Sequence, residues 1–303
     1  MTPTTITDSS DFQRGGLHVL RDVVQATSMS IRSVSAPGAT IHTLDEGSGP
    51  PIVLLHAGIA DLRAWDAMAP YLIDAGYRVI RYDQRSFGRT VTEDVEFSNR
   101  ADVIAVMDAC GVDRAALVGN SRGGMITFDT AIEFPDRIVA AIGVGAGIGG
   151  FDGGATPEEL ELFELGEALE EADPVDADAV ADFDVRFWVD GPGQPADRVP
   201  SAIRDLVREM DRAHNVPGVV DGQPIVLEPR AVDRLAELVC PVLAVAGTLD
   251  ASESVVTARH LETTAPNARA IIWDDVAHMI GMEQPKRLAD AIVEFLAPLP
   301  RWS

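Results

Sequence analysis

Six short apolar runs set the terms on which this chain can fold: "PIVLLHAG", "YRVIRYDQ", "RAALVGN", "IVAAIGVGAG", "PVLAVAGTLD" and "ARAIIWDD". Their apolar residues sit on consecutive rather than alternate positions, which is the pattern of strands covered on both faces. Amphipathic segments lie between them, at roughly 61–75, 97–110, 121–134, 253–265 and 282–297, with apolar residues at helical spacing. Buried strands alternating with helices specify an α/β protein with a mostly parallel sheet and helices on both faces. Ahead of the six, "SMSIRSVSAP" and "ATIHTLDEG" alternate in polarity and meet at Pro37-Gly38. They read as a hairpin that brings the sheet to eight strands. "LHVLRDVVQA", near the start, reads as a short helix without a legible purpose.

The alternation breaks once. From 151 to 228 no buried strand is legible, and Pro and Gly separate helical segments at 157–172, 175–190 and 200–214. Residues 1–150 and 229–303 therefore read as one core domain, and 151–228 as a helical lid inserted after the sixth strand. Between 156 and 190 there are thirteen carboxylates and one basic residue, Arg186, so one face of these helices is expected in water. Leu160, Phe163, Leu165, Leu169, Phe183, Phe187 and Trp188 recur at helical spacing and are expected to pack down on the body. Helices inserted here stand over the carboxyl ends of the strands, where ligands bind in such sheets. Their apolar undersides should roof a pocket, and Phe187 and Trp188 are its candidate lining. Adjacent on a helix, the two point about 100° apart, so one of them faces the pocket.

"ALVGNSRGGMIT" carries the chemistry. Gly119 and Gly123 flank Ser121 at the G-x-S-x-G spacing, which suits a strand turning sharply into a helix with a hydroxyl held at the apex. A serine hydroxyl needs a base, and the base needs an acid that fixes its tautomer. Of six histidines, His278 in "WDDVAHMIGMEQP" follows the last strand, on the same rim as Ser121. Asp250 in "PVLAVAGTLDAS" follows the preceding strand. The order Ser121, Asp250, His278 is that of a hydrolase sheet. Asp274 and Asp275 precede His278 on its own turn and are assigned structural roles. For the oxyanion, the backbone N–H groups of Arg122 and of Gly58 in "LLHAGIADLRAW" are the candidate donors. His56 in that loop reads as an orienting residue, not a base.

Composition removes other classes. A net charge of −24 opposes nucleic acid and anionic membranes as partners. No run approaches the roughly 20 apolar residues of a membrane helix, and the polar start lacks an apolar signal region, so a cytoplasmic protein is expected. Lys286 is the only lysine, which leaves no residue for Schiff-base chemistry. Cys110 and Cys240 are too few for a metal cluster or disulfide framework and read as buried thiols. No metal and no cofactor are expected.

Taken with their order and contexts, "LLHAGIADLRAW", "YDQRSFGRT", "LVGNSRGGMIT", "FPDRIVAAIGVG", "GTLD" and "AHMIGMEQP" resemble the α/β-hydrolase superfamily, specifically its lid-bearing, carboxylesterase-like serine hydrolases. The resemblance covers about 40–150 and 235–298. It implies an ester cleaved through an acyl-enzyme, and the apolar lid underside suits a neutral, largely apolar small molecule as the substrate. Alternatives are a lactone, the carbon–carbon bond of a ring-fission product, or a receptor without turnover. Two departures stand out. The oxyanion loop reads His56-Ala57-Gly58 where the family usually has His-Gly, and Arg122 replaces the commoner apolar residue after serine. Asn120-Ser121-Arg122 is also similar to relatives that cleave carbon–carbon bonds, whose acidic substrates would need Arg122, Arg186 or Arg204 to neutralise the pocket. Dehalogenase and epoxide hydrolase relatives use aspartate where this chain has Ser121.

Overall fold

The computed structural model describes residues 29–303; the helix read from "LHVLRDVVQA" lies outside the described residues. The main strands are β1 (Met29–Ala36), β2 (Ala39–Gly47), β3 (Pro51–Leu55), β4 (Arg78–Tyr82), β5 (Ala115–Asn120), β6 (Ile138–Val144), β7 (Val242–Gly247) and β8 (Ala268–Trp273). They lie in the order β1-β2-β4-β3-β5-β6-β7-β8. β2 pairs antiparallel with β1 and β4, and every later neighbour is parallel. The mostly parallel sheet is thus the one expected, with one addition. The two-residue strand Val91–Thr92 pairs with β2 and widens the sheet to nine strands, too short a piece to leave a periodic signal.

The consecutive apolar runs have their cause in the layers. Along β3, Val53 and Leu55 enter the core on one face of the sheet, while Ile52 and Leu54 enter that on the other; period two makes both faces of one strand apolar. The first core is covered by α2 (Asn99–Ala109), α3 (Arg122–Glu133) and α7 (Ser252–Thr264), through Val103, Phe128 and Leu261. The second is covered by α1 (Ala69–Asp74) and α9 (Pro285–Leu296), through Leu72 and Ile292. α8 (Ile280–Glu283) leads into α9. Cys110 and Cys240 are buried and unpaired with each other, as read.

Three helices stand between β6 and β7: α4 (Pro157–Glu170), α5 (Ala177–Asp184) and α6 (Ser201–His214). α5 runs on into a wider π-helical turn, Val185–Asp190, and such turns often re-aim side chains at functional sites. Val185, Val189, Val207 and Met210 seat this group on Ala57, Ala60, Met279 and Met282 of the rim. α4 begins with a capping box: Thr156 Oγ accepts from the Glu159 N–H at 3.2 Å, and Glu159 Oε2 accepts from the Thr156 N–H at 2.7 Å. The other Glu159 oxygen accepts from the Ser252 N–H at 2.8 Å, tying α4 to the start of α7.

One packing expectation needs correction. Leu160 and Leu165 are exposed rather than packed down. α4 meets the molecule mainly through α5 and that capped end, with Phe163 turned onto Phe187 and Trp188, so Leu160 and Leu165 fall on faces that are left uncovered.

Candidate active site

The register of the parallel strands aligns their carboxyl ends. Leu55 is opposite Gly119, Asn120 opposite Val144, and Gly247 opposite Trp273. The residues that follow, Gly58, Ser121, Asp250 and His278, therefore gather on one rim.

Ser121 joins β5 to α3 with φ 53° and ψ −119°, a left-handed conformation that is strained for any residue with a β-carbon. Its neighbours explain how the turn is tolerated. A β-carbon on Gly119 would stand 2.0 Å from the Gly123 carbonyl oxygen, and one on Gly123 would stand 2.3 Å from that of Leu55. Only glycine fits either place, so the spacing is a packing requirement as well as a motif. The Ser121 N–H donates to the Val144 carbonyl at 2.9 Å. Asn120 Nδ2 donates to the carbonyls of Val144, at 2.9 Å, and His278, at 3.2 Å, joining the elbow to the loop of the base.

His278 Nδ1 lies 2.8 Å from Asp250 Oδ2 and 3.0 Å from Oδ1. With the Nδ1 proton held by the carboxylate, Nε2 is left as the basic nitrogen. Asp250 Oδ1 also accepts from the Ala251 N–H at 2.7 Å. Asp274 and Asp275 are exposed and make no such contact. A β-carbon on Gly145, whose φ is 52°, would come within 3.0 Å of His278 Nδ1 and 3.1 Å of Asp250 Oδ2; this glycine leaves room for the pair. From the other side, the Trp188 carbonyl accepts from the His278 N–H at 3.3 Å, and the two rings lie 4.5 Å apart.

Ser121, His278, Gly58 and Arg122 line a cavity of about 290 Å³ with Trp188. Gly58 lies alongside the start of α3, where a β-carbon on it would be 3.8 Å from Arg122 Cδ. The N–H of Arg122, first in its helix, has no intrahelical acceptor. His56 Nε2 accepts from the Gln84 N–H at 2.9 Å, so its proton sits on Nδ1, which donates to the Ala57 carbonyl at 2.8 Å. Burial holds its pKa down at about 4. It is a neutral brace for the loop.

A model described as the alpha/beta hydrolase fold matches residues 50–285. The chain belongs to this family. Among relatives of this α/β hydrolase is the 2-hydroxy-6-oxo-6-phenylhexa-2,4-dienoate hydrolase of Comamonas testosteroni, 36% identical over 35% of this chain and 40% of that protein. The 2-hydroxy-6-oxononadienedioate/2-hydroxy-6-oxononatrienedioate hydrolase of Burkholderia vietnamiensis is 28% identical over 84% of this chain and 90% of its own. A solved structure described as Est816, an N-acyl homoserine lactone degrading enzyme, superposes with a TM-score of 0.68 at 26% identity. It covers 86% of this chain and 99% of its own.

The surroundings of the α/β-hydrolase site differ from the reading of the sequence. Trp188 faces the cavity, whereas Phe187 packs against Phe163 and Phe183 and does not line it. The expected apolar roof carries Asp184, Asp211 and, at the exposed rim, Glu170. Arg186 and Arg204 are both taken by Asp190 beneath the inserted helices, so Arg122 is the one of the three candidate arginines that reaches the cavity. Its guanidinium lies over the Phe87 ring, 5.4 Å from the centroid, and has no carboxylate partner among the described residues. His214 stacks on the same ring at 3.9 Å.

Asp184, Asp211, Phe87 and His214 were missed by sequence reasoning. A signal existed for two of them: Val207, Met210, Asp211 and His214 share one face of α6, and a carboxylate on the apolar stripe of a helix is out of place unless it faces a cavity. Among the described residues no group of three or more His, Cys, Asp or Glu is arranged to hold a metal ion, and no helix is long and apolar enough to cross a membrane.

Proposed function

We propose that this chain is a serine hydrolase that cleaves a carboxylic ester of a small molecule through an acyl-enzyme on Ser121. The observation that carries the reading is the strained Ser121 elbow sharing one cavity with a His278 oriented by Asp250. His278 takes the serine proton and returns it to the leaving alcohol, then activates water to release the acid. The N–H groups of Gly58 and Arg122 hold the oxyanion, and the inserted segment 151–228 serves as the roof.

A second cavity, of about 160 Å³, meets the first at Ser121 and His278 and is lined by Met125, Ala146, Thr257 and Glu253. The two chambers suit the two halves of an ester. Both carry carboxylates, Glu253 in the smaller and Asp184 and Asp211 in the larger, so both suit groups without negative charge. Lactones use the same machinery, in keeping with the Est816 likeness.

The unpaired Arg122 favours one other reading, hydrolysis of a carbon–carbon bond in a substrate bearing a carboxylate; the two bacterial relatives are named as hydrolases of a dienoate and of a dienedioate or trienedioate. Charge separates the two. Against a neutral isostere, an anionic nitrophenyl ester is expected to show about tenfold lower kcat/KM at low salt, from roughly 1–2 kcal/mol of repulsion at about 10 Å. Added salt should narrow the gap. Preference for the anion, weakened by salt, would transfer the assignment to the carbon–carbon reading. A single burst without steady release would instead indicate a receptor.

A further inference from the structure

We propose that Asp184 and Asp211, with Glu170 at the rim, form a subsite for an ammonium group of the substrate. The inference rests on the reading of Ser121 as the reacting centre of the same cavity.

The argument begins with how this chain treats its other deep carboxylates. Asp45 is paired with Arg78 and Arg32, Asp61 with Arg63, Asp102 with Arg85, Asp190 with Arg186 and Arg204, and Glu283 with Arg198. Asp83 and Glu159 accept from backbone N–H groups instead. Asp129 breaks the rule away from the Ser121 cavity, with no donor to its buried Oδ1; Asp184 and Asp211 break it inside that cavity. They are 4% and 1% exposed, yet no Arg or Lys pairs with either among the described residues. Asp211 Oδ1 accepts from Asn215 Nδ2 at 3.1 Å, while the buried Oδ2 has no hydrogen-bond donor. Asp184 has side-chain partners in Trp188 and Asp211, so the unsatisfied oxygen of the pair is Asp211 Oδ2, and leaving such an oxygen buried without a donor is costly.

Both residues line the cavity that holds Ser121 and His278. The two carboxyls come close enough to hydrogen-bond when one is protonated, and burial followed by neighbouring negative charge raises the affinity of each for a proton. A proton shared between the two carboxyls would satisfy their facing oxygens. An ammonium supplies the charge and two or three N–H donors to the same oxygens. Arg122 and His214 line the same cavity, His214 one turn beyond Asp211 on α6, so the wall is not uniformly acidic. The net charge of −24 concentrates cations around the molecule before they enter.

Direct binding tests this without using turnover. By calorimetry at low salt, n-hexylammonium is expected to bind at least tenfold more tightly than n-hexanol, and hexanoate more weakly than either. Asp211→Asn and Asp184→Asn, near-isosteric replacements made separately and checked for an unchanged melting temperature, should each reduce the ammonium preference to less than threefold. Equal affinities for hexylammonium and hexanol, or a preference that survives in both variants, would overturn the subsite. If hexylammonium binds as expected but no ester, lactone or thioester is turned over, the hydrolase reading fails and a cation site remains. If esters turn over without any ammonium preference, the subsite alone is lost.

Discussion

Ser121→Ala is expected to lower turnover of a neutral nitrophenyl ester by about 10⁶-fold, the scale on which serine hydrolase triads lose activity with their nucleophile. The fold should be unaffected, because alanine keeps the β-carbon and the elbow hydrogen bonds are made by the backbone and Asn120. A Ser121→Ala protein retaining more than about a hundredth of the rate would remove Ser121 from the role. Ser121→Gly makes a sharper contrast. It should be equally inactive but more stable by about 1 kcal/mol, since glycine accepts φ 53° without the strain that other residues carry there. Urea unfolding at unchanged slope measures that gain, and a loss of stability would show the elbow is not strained.

The second large effect concerns the pair behind the nucleophile. His278→Ala should cost about 10⁶-fold and Asp250→Asn about 10⁴-fold, because the base is indispensable while the acid orients it. Asp250→Asn keeps the shape but not the acceptor for the Nδ1 proton, so the ring can settle in the tautomer with no free electron pair facing serine. The double variant should be no slower than His278→Ala alone: once the imidazole is gone, Asp250 has nothing to hold. Losses that multiply instead would mean the two residues act separately, against the 2.8 Å contact between them.

The sheet and the candidate triad were legible in the sequence because each depends on local signals that survive without the rest of the fold. Runs buried on two faces are apolar at every position, and an elbow that tolerates no β-carbon at Gly119 and Gly123 must spell those glycines. The cavity wall was less legible. Asp184 and Asp211 come from different helices, and their meeting follows from how α5 and α6 pack. Which of Phe187 and Trp188 faced inward was set by the π-helical turn, a shift in winding that helical periodicity does not encode. Leu160 and Leu165 had the spacing of a buried face but no surface to bury against, because amphipathic pattern reports what a helix could cover and not what lies beneath it.

The bond between the Trp188 carbonyl and the His278 N–H couples two motions. An outward swing of the turn Val185–Asp190 would open the cavity, and the same swing would withdraw the carbonyl and the indole that brace the imidazole. Entry and reactivity would then be interlocked: with the turn open, the imidazole would keep Asp250 but lose its brace from Trp188, and closure behind the guest would restore it. Guests small enough to slip in without moving the turn escape the interlock. Solvent viscosity should therefore slow kcat for bulky esters, whose turnover waits on the swing, and leave that for the smallest acetate esters unchanged; the same viscosity dependence for both would dissolve the coupling.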